Sequence, residues 1–357
     1  MWDQNRFLER VAVRHPIIQA PMIGPKPALA ASVSAAGGLG SLACAAMTPD
    51  TVRSEAAAIR SKTDAPFNLN FFCHVSEAPD AAREAAWRSR LASYYAEFGL
   101  DPAAPIAMAQ RSPFDAAMFE AVAEICPAVV SFHFGLPETA LLDRVRALGC
   151  LVLSSATTVR EALWLAERGV DAIIAQGAEA GGHRGLFLGN DPATQVGTMA
   201  LVPQVVDAVD VPVIAAGGLA DARGIAAAFM LGASAVQLGT AYLRCPEAGL
   251  SQPHREALRR ARDEDTAITN VLTGKPARGI VNRVIRELGP LRADAPGFPT
   301  AAIGLQPLRV EAERRGSGDF SPLWAGQGAP LAREIDAGRL TNELAEGALR
   351  LLGSPRA

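Results

Sequence analysis

Short apolar runs alternate along the chain with longer amphipathic segments that are rich in alanine. Apolar runs bounded by turn residues predict buried strands, and the amphipathic segments between them predict helices. In chain order the predicted strands are residues 16–22, 39–45, 67–72, 128–135, 150–156, 171–177, 211–218 and 234–243. Strands that alternate with helices favour a parallel sheet. Eight strand–helix units over about 245 residues predict an α/β fold of the (β/α)8 TIM-barrel type.

Several of the intervening helices carry signals at their ends. Thr48 is the predicted N-cap of a helix that has Pro49 at its first position, which is the position where proline is best tolerated. Another predicted helix, residues 27–38, closes on glycine. The later predicted helices are residues 137–148, 158–168, 198–208 and 221–231.

Two segments remain outside the eight strand–helix units. Residues 76–112 form a polar insertion that we predict to be helical. Residues 246–357 form a C-terminal extension, helical at first and rich in Pro and Gly from 289 to 330. We therefore expect a barrel over residues 1–245, with the insertion and the extension covering its mouth rather than folding as independent domains.

The segment "GLGSLA" (38–43) fits the pattern G-x-G-x-x-A. In dinucleotide-binding folds that pattern follows a strand and opens a helix. Here it follows a predicted helix and opens a predicted strand. We interpret it as a helix-to-strand turn and not as a dinucleotide site.

Composition and charge exclude several classes of function. The chain has 357 residues and a formal net charge of −3, which gives no electrostatic reason to expect nucleic acid or an anionic membrane as partner. No apolar run approaches the roughly 18 residues of a membrane span. The five cysteines include no CxxC pair, as expected for buried, reduced thiols.

We expect a cytoplasmic protein that is a monomer or a homodimer. We expect no metal site, because no HExxH motif or paired Cys/His spacing occurs.

Polar residues and glycines cluster where the predicted strands end. In a TIM barrel the active site lies at the carboxyl ends of the strands. The residues concerned are Gln19, Ala20, Pro21, Met22, Asn68, Asn70, His133, Gln176, Glu179, His183, Gly217, Gly218, Gln237, Leu238, Gly239 and Thr240. We therefore predict the functional site at this end of the barrel.

The glycines after the seventh and eighth predicted strands indicate a phosphate site. Loops seven and eight of many such barrels bind phosphate through backbone N–H groups. Gly217, Gly218 and Gly239 would let the backbone approach closely, and Thr240 would add a hydroxyl. The alternative is that Gly217 and Gly218 only form a tight turn into a helix capped by Asp221.

Three amide side chains at strand ends point to a heterocycle beside the phosphate. Asn70, Gln176 and Gln237 offer both donors and acceptors, which suit the edge of an isoalloxazine or a base. Phosphate plus a polar heterocycle indicates a mononucleotide such as FMN, with the "APM" turn (20–22) against one end of the ring. The alternative for each amide is an ordinary hydrogen bond at a strand end.

The stretch "QGAEAGGHRG" (176–185) places a histidine among four glycines. Gly181, Gly182 and Gly185 would let the loop lie against a flat cofactor. His183 would then be placed to accept a proton from an acidic carbon; the alternative is a structural histidine bound to a loop carbonyl. Glu179 has two interpretations: it orients His183, or it pairs with Arg184 or another cation.

Two further features have open interpretations. His133 either lines the substrate pocket or is a satisfied core histidine. In "PLWAGQGA" (322–329), Trp324 and Gln327 either form a cap that contacts the cofactor or belong to a loop that starts a helix. We expect His254, in a helical segment after "SQP", to be solvated.

The motifs along the chain resemble those of the class I nitronate monooxygenases, formerly called 2-nitropropane dioxygenases. The resemblance covers nearly the whole chain, with the motifs in the same order. They are "PIIQAPM" (16–22), "AAGGLGSL" (35–42), "FNLNFF" (67–72), "SFHFGLP" (131–137), "QGAEAGGHRG" (176–185), "PVIAAGGLAD" (212–221), "GASAVQLGTAYL" (232–243) and "PLWAGQGA" (322–329).

The resemblance implies an FMN-containing TIM barrel. Such an enzyme oxidises alkyl nitronates such as the toxin propionate 3-nitronate with O2, by single-electron transfer to the flavin, and yields a carbonyl compound and nitrite or nitrate. His183 matches the family's catalytic base, which is needed for neutral nitroalkanes. The positions that match FMN contacts are Asn70, Gln176, Gly181, Gly218 and Gln237 through Thr240, with Met22 beneath the flavin.

Other readings remain open at this point. The same motifs resemble FMN-dependent enoyl-acyl carrier protein reductases, which use NAD(P)H; a further NAD(P)H-dependent flavin reductase, of the quinone reductase type, also fits. The long extension and "FNLNFFCH" look more like the nitronate enzymes. A phosphate-binding aldolase or isomerase without flavin would need a lysine or carboxylate base at a strand end, and Lys26, Lys62 and Lys275 are the only lysines. A non-catalytic flavin-binding protein is a fourth reading.

Overall fold

The computed structural model describes residues 5–22, 26–76, 78, 80–104 and 111–353. The strands are β1 (Ile17–Gln19), β2 (Gly40–Ala43), β3 (Phe67–Phe72), β4 (Val129–His133), β5 (Leu151–Ala156), β6 (Ala172–Gln176), β7 (Gly182–His183), β8 (Val213–Ala216), β9 (Ala235–Leu238), β10 (Thr266–Thr269) and β11 (Ala277–Ile280). The helices are α1 (Arg6–Val11), α2 (Pro27–Ala35), α3 (Pro49–Arg60), α4 (Ala81–Phe98), α5 (Ala116–Ile125), α6 (Thr139–Ala147), α7 (Val159–Glu167), α8 (Thr198–Ala208), α9 (Ala222–Met230), α10 (Thr240–Leu243), α11 (Gln252–Arg260), α12 (Arg283–Leu288), α13 (Ala301–Arg314) and α14 (Ala337–Gly353).

Eight of the strands form one parallel sheet in the order β1-β9-β8-β6-β5-β4-β3-β2. Leu39 joins the two edge strands of this sheet, because it forms a parallel bridge with Ile18. Its N–H donates to the Ile17 carbonyl at 2.9 Å, and its carbonyl accepts from the Gln19 N–H at 2.9 Å. The eight strands therefore form a (β/α)8 TIM barrel, which confirms the fold predicted from the sequence.

The barrel interior is packed with aliphatic side chains. Ile18, Leu39, Leu153, Ile174 and Ile214 are at most 2% exposed and belong to one cluster. Strands of a parallel barrel are buried on both faces, which is why their sequences form continuous apolar runs. The helix α1, which the sequence did not predict, adds Phe7 and Val11 to the same cluster.

Local signals at helix ends are confirmed. The Thr48 side chain accepts from the Thr51 N–H at 3.2 Å, and Pro49 opens α3. Asp221 caps α9 by accepting from the Arg223 and Gly224 N–H groups. Gly40 opens β2 after α2 and the turn that follows it, and a Cβ there would come within 2.0 Å of the Ala30 carbonyl oxygen. The segment 38–43 is therefore a helix-to-strand turn whose glycine is required by close contact, as predicted.

Two predictions were wrong in part. The eighth predicted strand ends at Leu238, because residues 240–243 turn into the short helix α10. The extension was predicted without strands, yet it contains β10 and β11. The Pro- and Gly-rich stretch from 289 to 330 also contains the helix α13, with Pro307 inside it.

The insertion and the extension share a second hydrophobic core. Trp87 and Tyr95 of α4 belong to the same buried cluster as Leu305, Leu308 and Phe320. The Tyr95 hydroxyl donates to the Gly304 carbonyl at 2.7 Å. Residues 77, 79 and 105–110 of the predicted insertion lie outside the described residues. From these contacts we propose that both segments are additions to the barrel and not independent domains.

The structure also bears on the expectations about membrane helices and cysteines. In the part of the chain that is described, no helix is long and apolar enough to cross a membrane. All five cysteines are free thiols. The expectation that they are buried is wrong for Cys126, which is exposed, and only partly right for Cys73, which is half-buried.

Candidate functional site

A cavity of about 220 Å³ opens at the carboxyl ends of the barrel strands, far larger than the roughly 10–15 Å³ needed for one water. Most of the predicted site residues line it. These are Ala20, Pro21, Met22, Asn70, His133, Gln176, Gly181, Gly182, His183, Gly217, Gly218, Gln237, Gly239, Thr240 and Trp324. The barrel therefore brings together residues from strands that are far apart in the sequence.

Three predicted site residues do not line the cavity. Leu238 is fully buried in the core behind it. The Gln327 N–H donates to the Glu179 carbonyl at 3.0 Å, so this residue ties segment 322–329 to the glycine loop. The Glu179 carboxylate accepts from the Thr198 N–H at 2.8 and 3.0 Å and from its hydroxyl at 2.7 Å. This carboxylate therefore binds the first turn of α8. Its charge also partly offsets the burial that lowers the pKa of Arg184 and of Arg278, which is the electrostatic part of the predicted pairing with a cation.

The glycine loop is held by the extension. Within it, Gly182 and His183 form β7, which pairs antiparallel with Arg278 and Ala277 of β11. The Arg184 N–H donates to the Pro276 carbonyl at 2.9 Å. A segment predicted as loop is thus the third strand of a small sheet, in the order β10-β11-β7.

Two buried guanidinium groups brace the same loop. Arg184, 1% exposed, donates to the carbonyls of Gln176 (3.0 Å) and Gly177 (2.8 Å). Burial lowers the pKa of Arg184 to about 9, so it remains a cation at neutral pH. Arg278 of β11 donates to the Ala178 carbonyl at 2.9 Å. Buried cations bound to several carbonyls fix a backbone firmly, because breaking those bonds leaves a desolvated charge.

Gln176 binds the loop with both ends of its amide. Its Nε2 donates to the His183 carbonyl at 3.0 Å, and its Oε1 accepts from the Gly185 N–H at 2.7 Å. Gln176 therefore fixes the path of the loop that carries His183. This structural role was not predicted, and it stands beside the predicted role at the edge of a heterocycle.

The His183 ring lies in an aromatic enclosure. Its centroid is 5.4 to 6.0 Å from those of Phe72, Phe134, Phe298 and Trp324. Its Nε2 lies 3.0 Å from the Thr273 hydroxyl. Burial, and then the positive charge of Arg111, hold the pKa of His183 well below its ordinary value of 6.5. The ring is therefore neutral at pH 7.

His133 combines its two sequence interpretations, since it lines the cavity and is also hydrogen-bonded at both ring nitrogens. Its Nε2 lies 3.2 Å from the His183 carbonyl, and its Nδ1 lies 3.1 Å from the Ser155 hydroxyl. Since a carbonyl can only accept, Nε2 carries the proton. Burial lowers the pKa of His133 to about 4, so it is neutral in this position.

His254 was predicted to be solvated, and that prediction was wrong. It is 5% exposed, lines the cavity and lies 3.1 Å from the Trp324 carbonyl through Nε2. Burial lowers its pKa to about 4. The sequence around it is strongly polar on one helix face, and nothing in that pattern shows that segment 322–329 folds over the other face.

The ends of β8 and β9 present glycines and polar side chains to the cavity. Gly217 and Gly218 have φ values of 125° and 69°, which glycine adopts most easily. Gln237 Oε1 is buried and has no hydrogen-bond partner among the described residues. The Thr240 hydroxyl accepts from the Gly326 N–H at 2.9 Å, which ties segment 322–329 to this side. These groups could hold a polar, phosphate-bearing ligand.

Arg111 is a site residue that sequence reasoning missed. It lines the cavity, and its guanidinium lies 5.7 Å from the Phe298 ring centroid. Burial and then Arg309 lower its pKa, with no carboxylate of the described residues acting on it. The lining residues that the structure describes include no Asp or Glu. This part of the cavity is therefore electrostatically suited to an anion.

Arg111 and the two glycine turns lie on opposite sides of the barrel. The chain joins Arg111 to β3, since the Phe114 N–H donates to the Phe72 carbonyl at 2.8 Å. In the closed strand order, β3 and β4 are separated from β8 and β9 by two strands on either side. The cavity therefore has the Arg111 guanidinium on one side and the glycine turns that follow β8 and β9 on the other.

The other lining residues that the sequence did not single out are mostly small or apolar. They are Ala43, Ala45, Ala46, Phe72, Ser155, Ile174, Ala180, Ala216, Leu219, Ala220, Leu243, Gly326 and Gly328. Several of them follow the same strand ends as the predicted residues. Their position, but not their chemistry, could have identified them.

Comparison with known proteins agrees with this fold. The family model described as nitronate monooxygenase matches residues 5–347. A nitronate monooxygenase from Pseudomonas aeruginosa is 43% identical over 96% of this chain and 98% of its own length. Another from Paraburkholderia phytofirmans is 41% identical over 96% of each chain.

Two solved structures have a similar fold. The nitroalkane oxidase from Streptomyces ansochromogenes has a TM-score of 0.88 and 38% identity, covering 96% of this chain and 98% of its own. FabK from Thermotoga maritima has a TM-score of 0.74 and 29% identity, covering 98% and 97%. The family model and both sequence relatives extend over nearly the entire chain. The chain therefore belongs to the nitronate monooxygenase family of oxidoreductases.

Proposed function

We propose that this protein uses FMN, bound in the cavity, to oxidise alkyl nitronates with O2, yielding a carbonyl compound and nitrite or nitrate. Full-length membership of the nitronate monooxygenase family supports nitronate oxidation in general. The observation that carries the proposal to a particular cofactor and substrate is the placement of Arg111 and the glycine turns on opposite sides of the cavity, with His183 in its lining.

The residues present fit FMN. Gln237 Oε1 is a buried acceptor without a partner among the described residues, and such a group costs about 1–3 kcal/mol. An N–H at the edge of an isoalloxazine ring would satisfy it. The backbone of Gly217, Gly218 and Gly239, with Thr240, would hold the phosphate. Asn70 would contact the ring edge, and Ala20, Pro21 and Met22 would lie against it.

Bound FMN would supply the redox chemistry, passing electrons from the substrate to O2. The chain's own contribution is to bind and orient the substrate. Arg111 would attract the carboxylate of substrates of the propionate 3-nitronate type. A guanidinium without a carboxylate partner among the described residues can bind such a group bidentately.

The aromatic side chains would exclude water from the reacting carbon. Phe72 and Trp324 line the cavity beside His183, and exclusion of water strengthens the attraction between Arg111 and an anion.

His183 would act as a base for neutral nitroalkanes. A preformed nitronate already lacks the α-proton, so it needs no base. The low pKa of His183 keeps its ring neutral, which is the form that can accept a proton. The alternative idea, a protonated His183 that stabilises an anionic substrate, is disfavoured by the same burial.

Oxygen consumption tests this proposal. The enzyme saturated with FMN should consume O2 and release nitrite or nitrate with propionate 3-nitronate. The alternative function is NAD(P)H-dependent flavin reduction of the enoyl-acyl carrier protein or quinone reductase type. It would instead show NAD(P)H oxidation with a quinone or enoyl thioester and no response to nitronates.

A further inference from the structure

The Thr273 hydroxyl has two neighbours that together fix its orientation. It lies 3.0 Å from Nε2 of His183 and 3.4 Å from the Lys275 carbonyl oxygen. A hydroxyl has one proton, and a carbonyl can only accept. Both contacts are satisfied only if Thr273 donates to the carbonyl and accepts from an N–H at Nε2 of His183.

We propose that Thr273 is a positioning residue that holds His183 in the tautomer with its proton on Nε2. The other ring nitrogen, Nδ1, is then the proton acceptor. Nδ1 has no hydrogen bond to any described residue, and the side chain lines the cavity. The catalytic half of this inference rests on the proposed role of His183 as base for neutral nitroalkanes; the tautomer itself does not.

The surrounding structure restricts the ring to this arrangement. Thr273 is 3% exposed, so water does not compete for its hydroxyl. It lies between β10 and β11, and β11 also pairs with the main chain of His183 through Ala277. The carbonyl of His183 is held from the other side by Gln176 and His133. One hairpin therefore fixes both the backbone and the ring of the base.

The proposed proton transfer balances without any further reactant. Neutral His183 takes the α-proton of a neutral nitroalkane on Nδ1, and the C–H electron pair stays with the substrate as the nitronate. His183 becomes an imidazolium with a proton on each nitrogen. Thr273 accepts from the Nε2 proton before and after the transfer, so no group must reorient during the step.

The tautomer can be observed directly. The chain has five histidines, so an 15N spectrum of imidazole-labelled, FMN-loaded enzyme is simple, and His183→Asn assigns the resonances. We expect a protonated Nε2 and an unprotonated Nδ1 in the wild type and in Thr273→Ser. Thr273→Val should give a mixture of tautomers. A wild-type His183 protonated on Nδ1 would overturn the assignment.

Kinetics test the consequence for catalysis. For Thr273→Val, kcat/KM for freshly diluted nitroethane should fall roughly tenfold or more, within the range that a general base contributes. The value for ethyl nitronate should stay within about twofold, and Thr273→Ser should resemble the wild type for both substrates. Equal losses on both substrates would contradict the positioning role. Thr273→Ala provides a second hydroxyl-free variant if the valine protein does not fold.

A different result would show that His183 is not the base. If His183→Asn leaves the ratio of nitroethane to ethyl nitronate activity unchanged, His183 is not the base and the catalytic half of the inference falls with it. The 15N spectrum of the wild type still decides the tautomer. If the wild type turns over neither nitroethane nor ethyl nitronate, the proposed function itself is contradicted.

Discussion

Gln176 and His183 are joined side chain to main chain: Nε2 of the glutamine donates to the carbonyl of the histidine at 3.0 Å. The other end of the same amide accepts from the Gly185 N–H at 2.7 Å. An amide at the end of a barrel strand thus sets the position of the candidate base. The rigid barrel, and not the loop alone, determines where His183 lies.

We predict that Gln176→Leu destabilises the FMN-saturated protein by about 1–3 kcal/mol, because it leaves a buried N–H without a partner. It should also lower kcat/KM for neutral nitroalkanes more than for nitronates, since the path of the His183 loop relaxes. Urea unfolding and steady-state kinetics measure the two effects. Gln204→Leu is the matched control, because the Gln204 side chain is exposed and bonds only within α8. Unchanged stability in Gln176→Leu would refute the bracing role.

Arg111→Met should impair only substrates that carry a second anionic group. The KM for propionate 3-nitronate should rise about thirtyfold or more, because removing one partner of a buried charge pair costs about 2–5 kcal/mol. The KM for propyl 1-nitronate, which lacks the carboxylate, should change little. Arg309→Met is the control, because Arg309 pairs with Glu313 at 2.9 Å and does not line the cavity. An equal rise for both nitronates would contradict the carboxylate role of Arg111.

Gln237→Leu separates binding of the cofactor from folding. Gln237 Oε1 has no partner to lose among the described residues, so the protein without FMN should keep its stability. The Kd for FMN should rise roughly tenfold, equivalent to about 1.4 kcal/mol. Flavin fluorescence titration and thermal unfolding give the two quantities. An unstable variant that binds FMN normally would argue against the assignment of Gln237 to the ring edge.

The activity on neutral nitroalkanes should persist below pH 6.5. Burial holds the pKa of His183 below its ordinary value, and Arg111 lowers it further. The basic form dominates above the lowered pKa, so kcat/KM falls only as the pH drops through that value. Arg111→Met removes one of the causes and should shift the inflection to higher pH. A wild-type inflection at 6.5 or above would show that the ring is not desolvated as described.

Stability should decrease in mild acid. His74 and His254 are buried and have pKa values of about 4, whereas the unfolded chain takes up protons near 6.5. Since the unfolded state binds the protons more readily, the free energy of unfolding falls as the pH is lowered from about 6.5 toward 4. Each residue contributes up to about 3 kcal/mol. His254→Gln should flatten the pH dependence of urea unfolding; an unchanged slope would contradict its neutral burial.

The sequence predicted the barrel and most of the cavity because both depend on local patterns. Each strand is a short apolar run, and most of the predicted site residues lie in the last residues of one or just after it. Residues 240–243 were mistaken for a continuation of the eighth strand, because "TAYL" is as apolar as the strand before it. The turn at Gly239 redirects the chain into α10, and periodicity does not reveal such a turn in a short segment.

The remaining differences come from contacts between distant parts of the chain. The glycine loop becomes β7 only because β11, about 95 residues later, pairs with it. Arg111 enters the cavity because the chain after α4 returns to the end of β3. Glu179 binds Thr198, whose position is set by α8. No spacing rule in the sequence indicates such partners.

The central claim, a flavin that takes electrons from a nitronate in this cavity, is tested most directly by anaerobic rapid mixing. Enzyme saturated with FMN would be mixed with propionate 3-nitronate and, separately, with NADH and NADPH, while the absorbance of the bound flavin is followed. We predict a loss of the oxidised flavin spectrum with the nitronate, at a rate no slower than turnover, and none with either pyridine nucleotide. Reduction by NADH or NADPH with no response to the nitronate would contradict the proposed function.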